Sequence, residues 1–192
     1  SRHSSLICPR DSDMAARKIP LAPLFAALAI CLVDQAVKAL VVQSIPLNSI
    51  AGRYFGDFLW IVHVRNTGAA FSFGAGAAPL IRLVVFVLLP LAVLPAALWF
   101  YFHNEQLPGL LRWAIGLMLG GGTGNLIDRI FRPEGVVDFI SVRFYGLFGL
   151  ERFPTFNVAD SAITIGEVLL VLWVIFDSKG KAQTAGQEKD AA

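Results

Sequence analysis

The stretch FNVADSAITIGEVLLVLWVIF, Phe156 to Phe176, decides how this chain is read. It holds the roughly 20 apolar positions that a bilayer core requires, yet its first turns carry Asn157, Asp160, Ser161 and Thr164. Helical geometry places Asn157, Asp160, Thr164 and Glu167 within a sector of about 80°. Such a stripe faces protein or water rather than lipid, and it reads equally as helix-to-helix glue or as a working site. Asp160 also lies near the start of its helix, where the backbone dipole favours an anion.

Composition agrees with a membrane protein. Of 192 residues, 56% are hydrophobic and 16% charged, whereas a soluble domain carries charge on about a quarter of its residues. A net charge of +2, spread over scattered basic residues, excludes a nucleic-acid face. The two cysteines, Cys8 and Cys31, fit neither a disulfide framework nor a zinc spacing. Three further apolar runs reach spanning length: Ile19 to Val42, Leu80 to Phe102 and Leu110 to Ile130. With Val158 to Phe176 they predict four spans and both termini on one side. Arg17 and Lys18 precede the first run as they would in a signal peptide. That run is too long, carries Asp34 and Lys38 and lacks a cleavage pattern, so it reads as a retained helix.

Residues 1–13, ahead of Met14, read as an N-terminal extension, foreign to the fold or from an alternative start. Residues 14–178 make the four-span domain, and residues 179–192 a polar tail expected to be unordered. The link HNEQLPGLLR is a tight turn between neighbouring helices. Gln43 to Pro79, containing FLWIVHVRN, alternates apolar and polar residues and predicts short strands at the membrane surface. Phe131 to Phe156 is again strand-like. Tyr54, Phe55, Trp60, Phe71, Tyr145 and Phe148 suit the headgroup region. Basic residues divide almost evenly between the two sides, with Arg112 counted on the terminal side. Only lysine is concentrated near the termini, which favours termini inside.

Polar residues at membrane depth are costly, so function is sought there first. Asp34 and Lys38 are one helical turn apart and can pair, with Gln35 beside them. In GLMLGGGTGNLIDRI, Gly116, Gly120 and Gly124 recur at four-residue spacing and allow another helix to approach, within the chain or across a dimer. Asn125, Asp128 and Arg129 follow at the helix end. Asp128 beside Arg129 reads as an ion pair or anchor, and Arg129 as a holder of lipid phosphate. Asp138, in GVVDFIS, lies among apolar residues on the same side as Asp160. Two carboxylates sharing a site cannot both ionise easily, so one keeps a proton while the other draws one from water. Spacing alone leaves open whether these two meet. A Ser/His site lacks a histidine at depth, and no H-E-x-x-H motif occurs. The competing class is a proton-coupled transporter using Asp34, Lys38 and Glu167, which the absence of inverted repeats disfavours.

DQAVK (Asp34–Lys38), VRNTGAAFS (Val64–Ser72), GGGTGNLIDRI (Gly120–Ile130), GVVDFI (Gly135–Ile140) and FNVADSAITIG (Phe156–Gly166) follow in order along most of the chain. Together they resemble the lipoprotein signal peptidase (signal peptidase II) family of bacterial inner-membrane aspartic peptidases. The resemblance implies an α-helical membrane protein of four transmembrane helices with a small extracytoplasmic β-cradle and a gating segment. It implies a multi-pass enzyme of the cytoplasmic (inner) membrane, active at the extracytoplasmic side, that removes signal peptides from diacylglyceryl-modified prolipoproteins by cleaving before the lipidated cysteine. By the same resemblance Asp138 and Asp160 are catalytic and Asn157 orients the site. Asn66, Asn125, Asp128 and Arg129 shape the pocket and contact the substrate or its lipid, while Asp34 and Lys38 support the fold. The implied partners are the prolipoprotein and membrane phospholipid, with no nucleic acid, metal or cofactor, and a monomer is expected. The segment RFYGLFGLERF leaves the path of the loop between the two aspartates open.

Overall fold

The computed structural model describes residues 19–68, 76 and 78–190, with backbone alone for 178–190. The N-terminal extension, Cys8 and Phe71 lie outside the described residues.

The helices are α1 (Ala22–Ser44), α2 (Pro79–Leu83), α3 (Leu89–His103), α4 (Gly109–Phe131) and α5 (Val158–Asp190). A π-helical turn, Val84–Leu88, joins α2 to α3 in one rod, Pro79–His103. Three helices are long and apolar enough to cross a membrane: Ala22–Ser44, Pro79–His103 and Val158–Asp177. Helix α4 matches α1 at 23 residues, but its glycines and its Arg112, Asn125, Asp128 and Arg129 dilute the apolar run. It is nonetheless the hub against which α1, α3 and α5 pack.

The glycines explain how. A Cβ on Gly116 or Gly120 would lie 2.6 Å from the carbonyl oxygen of Pro23 or Ala27, and one on Gly124 would lie 2.7 Å from Asp34 Oδ2, so this stripe faces α1. Gly121 faces α5 instead, 2.3 Å from the Ala159 carbonyl. Helix backbones therefore meet without side chains between them, within one chain.

Strands β1 (Ile50–Tyr54), β2 (Leu59–Asn66) and β3 (Val136–Val142) form an antiparallel sheet in the order β1-β2-β3. Val64 pairs with Asp138 and Asn66 with Val136, which fixes an asparagine beside the β3 aspartate. Val137 and Phe139 seat the sheet on Val41 of α1. RFYGLFGLERF makes an excursion closed by a bridge between Arg143 and Arg152, with a 3-10 turn at Leu147–Gly149. Of the aromatics assigned to the headgroup level, Tyr54, Phe55, Tyr145 and Phe148 are exposed. Trp60 is instead covered by the guanidiniums of Arg53 and Arg152, at 4.6 and 3.7 Å from its ring centroid.

One expectation is corrected. The polar tail does not leave the helix: α5 continues to Asp190. Extending a helix already nucleated adds one hydrogen bond per ordered residue, and Lys, Ala, Gln and Glu are good helix formers. Arg112, counted on the terminal side, is only 3% exposed. Its guanidinium donates to the carbonyls of Tyr101, Asn104, Glu105 and Leu107 and lies over the Tyr101 ring. It thereby satisfies carbonyls at the end of α3 and closes the turn into α4.

Candidate active site

Helix α5 begins with a reciprocal cap. Asn157 Oδ1 accepts the Asp160 backbone N–H at 2.8 Å, and Asp160 Oδ2 accepts the Asn157 backbone N–H at 3.2 Å. This is the capping-box arrangement in an Asn-x-x-Asp form. The cap orients the Asp160 carboxylate, and Asn125 Nδ2 donates to its other oxygen at 2.7 Å. The signature NVAD ahead of an apolar run was present in the sequence and would have located this cap.

Asn157 also reaches the second carboxylate. Its Nδ2 donates to Asp138 Oδ1 at 2.7 Å, while Asn66 Nδ2 donates to Asp138 Oδ2 at 3.1 Å. Asn66 is held in turn, since its Oδ1 accepts the Gly68 N–H. One asparagine thus joins the aspartate of β3 to that of α5, and both aspartates line a single cleft of about 610 Å³. Burial, and next the neighbouring charge of Asp160, push the Asp138 carboxyl up to about 7, against the Asn66 and Asn157 hydrogen bonds and the charge of Lys38.

Behind the cleft lies a fully buried ion cluster. Lys38 Nζ is 2.8 Å from Asp34 Oδ2 and 3.3 Å from Asp128 Oδ2, and it donates to Asn125 Oδ1 at 2.9 Å. Asp128 also pairs with Arg132 and accepts from Gln35. The cluster grips the backbone residue just before each aspartate: Asp34 Oδ1 accepts the Ala159 N–H at 2.9 Å, and Asp128 Oδ2 accepts the Val137 N–H at 3.0 Å. The pair Asp34 and Lys38 is therefore formed as its spacing predicts, and together with Asp128 it registers α5 and β3 against each other.

Asp128 does not pair with Arg129. Consecutive helical residues point about 100° apart, so Asp128 turns to α1 while Arg129 turns to the cleft. There Arg129 donates to the Gly68 carbonyl at 3.2 Å and lies over the Phe86 ring. Thr164 and Glu167 continue the α5 stripe along the cleft wall, both exposed, with Glu167 outside the hydrogen-bonded centre. Arg132 and Gln35 carry parts of the cluster that spacing did not assign. Among the described residues, no three His, Cys, Asp or Glu side chains gather as a metal-holding group.

A bundle with spanning helices, a surface sheet and two hydrogen-bonded carboxylates at a partly apolar cleft defines a membrane protein with a site suited to acid–base chemistry. Comparison with known proteins gives the family. The family described as Signal peptidase (SPase) II matches residues 26–176, and the chain belongs to it. It is 44% identical over 157 residues to the lipoprotein signal peptidase of Treponema pallidum (strain Nichols), covering 82% of this chain and 84% of that protein. It is 48% identical over 141 residues to the lipoprotein signal peptidase of Treponema denticola, covering 73% and 81%. A bacterial membrane enzyme solved by the in meso method superposes with a TM-score of 0.72 at 29% identity, covering 83% of this chain and 91% of that one.

Proposed function

We propose that this chain is an aspartic endopeptidase of the bacterial inner membrane that removes the signal peptide from diacylglyceryl-modified prolipoproteins, cutting before the lipidated cysteine. The observation that carries the reading is the joining of Asp138 and Asp160 through Asn157 at one cleft, in a chain of the signal peptidase II family. In this reading α4 spans the bilayer at the centre of the bundle, giving four spans. The sheet lies on the extracytoplasmic side and the termini in the cytoplasm. Residues 14–178 form the peptidase unit, preceded by the extension 1–13 and followed by the tail 179–192. The chain acts as a monomer, because α1 already fills the stripe of Gly116, Gly120 and Gly124.

The substrate's acyl chains lie along the apolar wall of the cleft at Ile163 and Ile165, with the scissile peptide at the level of the sheet. Asp138 holds the proton, as its raised value favours, and Asp160 is the ionised partner. Asp160 takes a proton from water as the oxygen attacks the carbonyl carbon. Asp138 donates to the carbonyl oxygen, and the tetrahedral species collapses as a proton passes to the leaving nitrogen. The C–N bond breaks, leaving a carboxylate on the signal peptide and a free amine on the lipidated cysteine. Asn66, Asn125 and Asn157 hold the acids, and Arg129 contacts the substrate. No metal or cofactor enters the scheme.

The test is cleavage of a diacylglyceryl-modified prolipoprotein peptide by detergent-purified protein, with an unlipidated control. Asp138→Asn and Asp160→Asn should each reduce turnover by about a thousandfold or more while remaining folded. Turnover by either variant near that of the parent chain removes it from the pair. The pH–rate profile should descend through about 7, with the limb belonging to the pair as a unit.

A further inference from the structure

Beside the cleft, and sharing Asn66 and Arg129 with it, lies a second recess of about 170 Å³. Three guanidiniums edge it: Arg82 from the first turn of α2, Arg129 from the last turn of α4, and Arg132 just beyond that helix. Their charges are not equally compensated. Arg132 belongs to the buried cluster, where Asp34 and Asp128 balance Lys38 and Arg132. Arg129 shares the field of the two cleft aspartates and donates to the Gly68 carbonyl. Arg82 has neither kind of relief: among the described residues it forms no ion pair, and its buried Nε has no hydrogen-bond partner.

A desolvated guanidinium edge without an acceptor is costly. Its complement is a compact anion with several oxygens, which a planar donor fork meets at two points. The surroundings select the carrier. Leu83, Phe86 and Val87 line the recess, and the chain neighbours of its arginines, Leu80, Ile81 and Phe131, are exposed apolar side chains, the first two on a helix long and apolar enough to cross a membrane. The π turn beneath, Val84–Leu88, carries Phe86 under Arg129 with the ring centroid 5.4 Å from the guanidinium carbon. An anion at this place has guanidinium groups above it and acyl-compatible surface below it.

We infer that this recess is a headgroup site for the phosphate of an anionic phospholipid, with Arg82 as its principal donor. The inference rests on the membrane placement proposed above and not on the peptide-cleaving chemistry. A lipid seated here borders the cleft through Arg129 and walls the substrate's entry on that side.

The experiment is native mass spectrometry of the detergent-purified full chain titrated with phosphatidylglycerol or phosphatidylcholine, read without any cleavage step. The parent chain should retain one phosphatidylglycerol about tenfold more tightly than phosphatidylcholine, which carries the same phosphate but brings a choline cation against the guanidiniums. Arg82→Gln should erase that preference. Arg82→Lys, which keeps the charge but loses the fork, should reduce it by a smaller factor and serves as the readout if the glutamine variant does not fold. Equal retention of both lipids by the parent chain, or an unchanged preference in the Arg82 variants, overturns the site. Inorganic phosphate alone is the second arm. Persistence of the lipid in excess phosphate is expected, whereas its displacement assigns the recess to a soluble anion and overturns the lipid.

Discussion

Helix α4 and the rod Pro79–His103 invert the rule learned from soluble proteins. The rod is the more apolar of the two, yet none of its most apolar stretch is buried. Helix α4 is interrupted by glycines and by charged and amide side chains, and Gly116, Gly120, Gly121, Gly124, Asn125 and Asp128 are all buried. In lipid, leucine gains little from moving against another helix, because the acyl chains are as apolar as it is. Close backbone approach and the pairing of polar groups are what gather helices, so the glycine-rich, polar helix takes the centre and the greasy one the rim.

Lys38 tests the polar half of that comparison most severely. Lys38→Met strands Asp34 and Asp128 without their shared cation at full burial, a loss of about 3–5 kcal/mol. The variant should give no monodisperse folded protein by size-exclusion chromatography, and a stable Lys38→Met would break the account of α4 as a polar hub.

The pH dependence of stability sharpens the same point. Asp138 is fully buried and titrates at about 7 when folded, against an unfolded value of about 3.9. Between these values the native state keeps a proton that the unfolded chain has lost. The contribution is therefore present in full below about 3.9, declines as pH rises and is lost through about 7. Its size is of the order of 4 kcal/mol at most. Thermal unfolding in detergent should show a lower Tm at pH 8 than at pH 5, and Asp138→Asn should flatten the difference. An equally steep slope in the variant assigns the titration to another group.

The packing half is tested by paired substitutions on the two helices. Gly121→Ala brings a methyl to 2.3 Å from the Ala159 carbonyl, and the forced shift of α5 should cost about 1–3 kcal/mol. It should lower peptide cleavage as well, since Ala159 precedes Asp160. Leu91→Ala on the rod, half-exposed to lipid, should change stability by less than about 0.5 kcal/mol. Equal Tm losses in the two variants would remove the contrast.

The long helices were legible because spanning length is a local property, and their starts and ends fall within a few residues of the apolar runs, save that α5 runs on to Asp190. The glycine stripe and the Asp34–Lys38 pair were legible for the same reason, being set by helical period. The burial of Arg112 was not legible because its acceptors are carbonyls, which a sequence does not distinguish. Asp128 was paired with its chain neighbour because proximity along a helix does not mean a shared face.

By itself the sequence determined that the chain is a membrane protein, where its helices run, and which carboxylates stand where lipid cannot receive them. All of this follows from transfer energies and backbone periodicity acting over a few turns. Only the tertiary structure decided that Asp138 and Asp160 share a cleft through Asn157, and that the Lys38 cluster holds the backbone ahead of each. Those contacts join α1, α4, α5 and β3, and hydrogen bonds and ion pairs act over a few ångströms in space, whatever the separation along the chain.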